Sequence, residues 1–163
     1  MADRPPRTPL SRERVLRAAA DLADEHGIDA LTMRSLGQRL GVEAMSLYNH
    51  VANKDDLLDG IVDLVVGEIE RPAGDVDWRE AMRRRATSAR AAFERHPWAS
   101  ALVDTRQSSG PERLRYLDWV LGTLRRAGCS VQLAVHAISA IDVALHDLVG
   151  KMAVGHTRYS TTG

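Results

Sequence analysis

Apolar residues recur at helical spacing along almost the whole chain, and glycines, prolines and capping residues divide them into separate runs. Ser11 stands at an N-cap position, and Val15, Leu16, Ala19, Leu22 and Ala23 line one face until Gly27, which predicts a helix over 11–26. Thr32 caps a second run with Met33, Leu36 and Leu40 (33–40), and Gly41 reverses the chain. After Gly41-Val42-Glu43, a third helix from Ala44 to His50 is barely two turns long, anchored inward by Leu47. Asn53 and Asp56 form a cap-like pair opening a fourth helix, which carries Leu57, Leu58, Ile61, Leu64, Val65 and Ile69 and ends before Pro72. Asp77 with Glu80 repeats that signature for a fifth, with Trp78, Met82, Ala86, Ala89, Phe93 and His96, stopped by Pro97. A short helical piece over 98–103 and a polar loop over 105–110 follow. Pro111 suits a first helical position, and Leu114, Leu117, Leu121 and Leu124 make a heptad-like stripe ending at Gly128. Ser130 caps a last helix through Val131, Ala134, Val135, Ile138, Ile141, Leu145 and Val149 to about Gly150. No alternating apolar pattern of strand length occurs, so the fold class is all-α.

These runs divide the chain into a flexible arm (1–10, with Pro5, Pro6 and Pro9), a helix-turn-helix unit (11–54), a helical body (55–150) and a small, polar tail (151–163). The fourth helix, 54–70, connects unit and body, and Arg71 to Val76 reads as the linker at which the chain divides most easily. A hydrophobic fraction of 44% with 27% charged residues is that of a globular protein that folds. The 22 basic and 22 acidic residues cancel, which weighs against nucleic acid as partner unless the positive charge is gathered locally. Arg34, Arg39 and Lys54 supply such a cluster. Cys129 is the single cysteine, so no intramolecular disulfide or cysteine-rich metal site forms, and burial outweighs redox sensing for it. No stretch reaches membrane-spanning length, and a cytoplasmic protein without membrane contact is expected.

Two short helices joined by a glycine-led turn and braced by a longer first helix are what a major-groove reader requires, because the second helix must protrude. Its outer face, Ala44, Met45, Ser46, Tyr48, Asn49 and His50, is small, hydroxylic, aromatic or amide, suited to thymine methyls, adenine edges and phosphates. The N-termini of the third and fourth helices both offer backbone N–H groups to phosphate, with Lys54 at the second. Against this stands a bland alternative, in which Tyr48 and His50 simply pack a small three-helix unit.

The stretch Ala30-Leu31-Thr32-Met33-Arg34-Ser35-Leu36, followed by Leu40-Gly41-Val42-Glu43-Ala44-Met45-Ser46-Leu47-Tyr48-Asn49-His50-Val51-Ala52-Asn53-Lys54, resembles the reader of the tetracycline-repressor (TetR) family. The resemblance implies a homodimer on a palindromic double-stranded operator, one reading helix per half-site. It implies that Arg34, Ala44, Met45 and Ser46 face bases and that Tyr48, His50 and Lys54 hold phosphates. With Ser35 and Asn49, these make the expected DNA-binding set. Asn49 and Ala44 stand where tetracycline repressors have tryptophan and glutamine, which implies a different operator. Ala127-Gly128-Cys129-Ser130 and Ala137-Ile138-Ser139-Ala140-Ile141 resemble the segment opening that family's eighth helix. The histidine of its His-Leu-Gly-Thr-Arg metal-chelating stretch is missing from Leu102-Val103-Asp104-Thr105-Arg106, which argues against magnesium–tetracycline as effector.

The body is expected to hold another small-molecule effector. At about 100° per residue, Asp142 falls about 40° from Ile138, inside the apolar stripe, and His146 about 80° away, whereas His136 lies near 160° and faces elsewhere. A carboxylate in that stripe calls for a partner: an arginine of a neighbouring helix, His146, a ligand cation or a second subunit. Trp78, Met82, Phe93 and His96 share a face of the fifth helix and form a candidate wall of an apolar pocket, with core packing as the plain alternative. Arg106, Asp142 and His146 complete the effector set. Trp119, about 140° from the Leu114 stripe, is expected to cover a second contact face, such as one between subunits, and His26 beside Gly27 ends its helix.

The sequence therefore predicts a ligand-responsive repressor with no cofactor, no bound metal and no catalytic residues. The competing class is a helical-bundle metalloprotein or enzyme using His96, Asp142 and His146. It is disfavoured because no histidine pair sits at i, i+3 or i+4 and no Glu-x-x-His pattern occurs. Family members usually continue through one or two more helices, so a truncated member with impaired dimerisation, or a dimer through helices 7 and 8 alone, is a third expectation.

Overall fold

The computed structural model describes residues 9–74, 76–106 and 110–140. They form helices joined by turns and short loops, and no strand occurs among them. The chain divides into two compact units, Met1–Leu58 and Asp59–Gly163. The division falls inside the helix Lys54–Gly67 and not at the linker around Pro72.

Unit 1 holds α1 (Arg12–His26), a 3₁₀ turn (Ile28–Ala30), α2 (Met33–Leu40), α3 (Ala44–Leu47) and the start of α4 (Lys54–Gly67). Each boundary has a local cause. The Ser11 hydroxyl accepts from the Arg14 N–H at 3.2 Å, and Gly27 leaves α1 at φ 82°. Thr32 and Ser35 form a reciprocal capping box, and Gly41 ends α2 in the left-handed region at φ 67°. Val15, Ala19, Leu22, Leu31, Leu36, Leu47, Val51 and Leu57 converge in its core. Residues 48–50 prolong α3 as turns, with Tyr48 and His50 donating to the Met45 and Leu47 carbonyls at 3.3 and 2.9 Å. The predicted helix 44–50 is thus one α-turn with a tightened extension, as short helices with few intrahelical bonds tend to be.

Unit 2 holds the rest of α4, α5 (Trp78–Arg95), α6 (Pro97–Thr105), α7 (Pro111–Arg126) and helical residues 131–140 (α8). The Asp77 carboxylate caps α5 by accepting from the Arg79 N–H at 2.9 Å, and prolines open α6 and α7 where their missing N–H costs nothing. Ile61, Val62, Val65 and Val66 of α4 and Ile69 just beyond its end are buried, as are Ala89, Ala92 and Phe93 of α5. The buried face of α7 is Tyr116, Val120, Thr123 and Leu124, which corrects the predicted stripe: Leu114 is 55% exposed. Leucine spacing alone mislocated that face because Tyr116 and Thr123 point inward with polar groups attached. Trp119 is half-buried, and its indole N–H donates to the Pro72 carbonyl at 3.0 Å. In α8, Ala134 and Ile138 are buried whereas Val131, Leu133 and Val135 are exposed.

The polar edge of α4 is built into the junction of α6 and α7. Asp59 accepts from the Arg106 guanidinium at 2.6 Å. One turn on, Asp63 accepts from the Glu112 and Arg113 N–H groups at 3.2 and 2.9 Å, and so caps α7, whose own cap residue, Gly110, has no side chain. A Cβ at Gly110 would overlap that carboxylate. Arg113 closes the junction by donating to the Val103 and Arg106 carbonyls at 3.1 and 2.9 Å.

Candidate nucleic-acid interface

The presentation of α3 depends on a close approach of two backbones. Gly37 in α2 is buried, and a Cβ there would lie 2.9 Å from the Val42 carbonyl oxygen and 3.2 Å from the Ala44 nitrogen. The Val42 N–H donates to the Gly37 carbonyl at 3.0 Å across the same gap. With Leu47 fully buried beneath it, the four-residue α3 is clamped from inside and from its N-terminal side.

What remains outward is the predicted reading face. Met45 is 75% exposed and Tyr48 44%, and Asn49, Arg34 and Lys54 are exposed too. Ala44, Ser46 and His50 are half-buried along the edge of this face. Ser35 differs from the rest: its hydroxyl accepts from the Thr32 N–H at 2.9 Å and lies 2.9 Å from the Ala30 carbonyl, so its polar group is engaged in capping α2.

Two charged contacts that local sequence did not reveal hold this unit together. Arg39 of α2 grips Glu25 of α1 through two bonds of 2.6 and 2.7 Å, and this keeps the Glu25 carboxyl below its usual range. Arg12 donates through Nη1 to the His50 carbonyl (2.9 Å) and Asp56 Oδ2 (2.9 Å), and through Nη2 to Asp56 Oδ1 (2.6 Å). Asp56 also accepts from the Ala52 N–H at 2.8 Å, while its own N–H donates to the Asn53 side chain at 2.8 Å. The Arg12 bonds are the main reason the Asp56 carboxyl is lowered to about 2, with burial opposing and the Ala52 N–H adding to the effect. The Asn53–Asp56 spacing signalled a cap, and the Asn53 bond is that cap. Arg12 lies 44 positions away, beyond any local pattern.

The described residues among those predicted for an effector site lie at several places along the body. Trp78 opens α5, half-buried under the Arg79 guanidinium, and His96 closes it, so about 26 Å of helix separates them. Met82 is half-buried and Phe93 buried along the same helix. His96 meets the edge of Trp98, with Nε2 3.4 Å from Glu68. Arg106 is bonded to Asp59. Asp142 and His146 lie outside the described residues. A surface groove of about 300 Å³ beside α5 is lined by Glu70, Arg83, Arg84 and Ser88 among others, and by none of the predicted effector residues. Sequence reasoning also missed Arg85, 1% exposed in the middle of α5, which bonds the Tyr116 hydroxyl and stacks 5.0 Å from that ring's centre. Among the described residues no cluster of three metal-ligating side chains occurs.

A three-helix unit with a short protruding helix, followed by a helical body that begins within the same α4, defines a helix-turn-helix regulator architecture. Residues 15–61 match the family model for bacterial regulatory proteins of the tetR family, and residues 71–144 match that for the tetracyclin repressor-like C-terminal domain. The protein is 37% identical over 141 residues to the HTH-type transcriptional repressor DrrR1 of Streptomyces coeruleorubidus, covering 85% of this chain and 52% of the relative. The TetR family protein ActR of Streptomyces coelicolor, solved with (S)-DNPA, superposes with a TM-score of 0.80 at 30% identity, covering 88% of this chain and 71% of ActR. BioQ, solved with its double-stranded DNA operator, gives a TM-score of 0.74 at 28% identity, covering 87% and 89%. The chain belongs to the TetR family of bacterial regulatory proteins. It spans about half the length of the curated relatives it matches first, 52% and 51%.

Proposed function

We propose that the protein is a DNA-binding transcriptional repressor that acts as a homodimer on a palindromic operator and is released by a small-molecule effector. The observation that carries this reading is the outward face of α3, where Met45, Tyr48 and Asn49 are exposed on a helix clamped by Gly37 and Leu47. Arg34, Ala44, Met45 and Ser46 meet base edges, Tyr48, His50 and Lys54 meet the backbone, and Asn49 belongs to the same DNA-facing set. Ser35 serves through the cap it gives α2. The BioQ complex supports a duplex partner, and ActR bound to (S)-DNPA supports an organic effector. Exposed Val131, Leu133 and Val135 on α8 offer an apolar surface for the second subunit. The protein works in the cytoplasm, where its DNA is, and performs no catalysis. No described helix is long and apolar enough to cross a membrane.

Selection of bound sites from a pool of random duplexes tests this directly. Enrichment of a palindrome with two equivalent half-sites is the expected result. A pool that stays random, or an enriched site without symmetry, contradicts the reading.

A further inference from the structure

We propose that Arg12 is a positioning residue for operator binding, holding the segment from His50 to Lys54 through Asp56 and the His50 carbonyl without itself meeting a phosphate. The inference rests on the proposed DNA-reading function and adds a residue outside the reading face to it.

Three separate pieces of chain meet at this guanidinium. Arg12 is the first residue of α1, the His50 carbonyl belongs to the turn that prolongs α3, and Asp56 is the third residue of α4. Both oxygens of Asp56 take a bond from Arg12, the paired geometry that fixes direction as well as distance. The Ala52 N–H on Asp56 extends the hold into the irregular residues between α3 and α4. Tyr48, His50 and Lys54, the proposed backbone contacts, flank those residues, and their spacing is set by how the segment is pinned at each end. Three of the five guanidinium N–H donors are committed to the His50 carbonyl and to the two Asp56 oxygens, which turns the group toward the segment it holds.

The test uses the full chain, the palindrome it selects and a scrambled duplex of equal length, titrated over a salt series. The variants are Arg12→Gln, Arg12→Lys, Asp56→Asn and the double Arg12→Gln/Asp56→Asn. The expected result is that each single variant lowers the preference for the palindrome about fivefold or more, that the double is no worse than the singles, and that the salt slope is unchanged. Arg12→Lys keeps the charge and loses only the paired geometry, so it decides the matter if another variant fails to fold. The proposal is overturned if Arg12→Lys binds like the parent, or if Arg12→Gln weakens both duplexes equally and flattens the slope by about 0.9 per protomer, the mark of one lost phosphate contact in each copy. Asp56→Asn tightening both duplexes would overturn it as well. A parent chain with no salt-dependent preference for any palindrome defeats the DNA-reading function itself, whatever Arg12 does.

Discussion

Met45 and Lys54 are both exposed on unit 1, yet their chemistry assigns them different work. A thioether on the proposed reading helix is suited to a thymine methyl, so Met45→Ala should relax base preference at one position per half-site by about 1 kcal/mol while leaving the salt slope intact. Lys54→Ala should instead weaken all duplexes together and reduce the slope by about 0.9 per protomer. Competition titrations with single-base operator variants separate the two. Asp56 carries the pH prediction. Its folded pKa of about 2 lies below the ordinary 3.8, so its contribution is present above that ordinary value and is lost as pH falls toward about 2. With the ion pair partly exposed and screened, that contribution is about 1 kcal/mol. Thermal melts should show the parent losing more stability than Asp56→Asn across this window, and equal losses would remove Asp56 from the account. Residues that act through one local cap or turn, such as Ser11, Thr32 and Gly41, were legible from sequence because their partners lie within four positions. Arg12, Arg39 and Arg85 were not, because each meets a partner far along the chain and no spacing rule connects them.

Among the elements, α3 depends most on its neighbours. Four residues of α-helix cannot stand alone, so its stability is that of Leu47 in the core and of Gly37 beneath the turn. Leu47→Ala should cost about 2–5 kcal/mol, read from denaturant unfolding. Gly37→Ala places a carbon 2.9 Å from the Val42 carbonyl oxygen, and α3 must shift to relieve it. Operator affinity should then fall even where circular dichroism shows helix content preserved, and unchanged affinity would show that the close approach is dispensable. Helix existence was legible in the periodicity, as α1, α2 and α5 demonstrate. The buried face of α7 was not, since Tyr116 and Thr123 go inward while Leu114 stays out, a choice made by the neighbouring helices. The candidate effector wall is spread along the whole of α5, from Trp78 at its start to His96 at its end, and helical spacing identifies a face without saying which stretch of it lines a site.

For the whole molecule, a net charge of zero is compatible with a duplex partner because the proposed contact groups lie together in the unit ending at Leu58. Local charge is what a phosphate meets. In unit 2, the α4 carboxylates Asp59 and Asp63 bind the α6–α7 junction, and Asp63→Ala should lower the melting temperature by removing the cap of α7, at a cost of about 1 kcal/mol. The central claim is that two copies of this reader occupy one palindrome. Fluorescence anisotropy of the selected palindrome, titrated over a salt series and repeated with one half-site scrambled, tests it most directly. The expected result is two protomers per duplex, a log–log salt slope of about −2 or steeper, which two Lys54 contacts alone would supply, and a large loss of affinity on scrambling. A flat salt response, or equal affinity for the intact and half-scrambled duplexes, would contradict it.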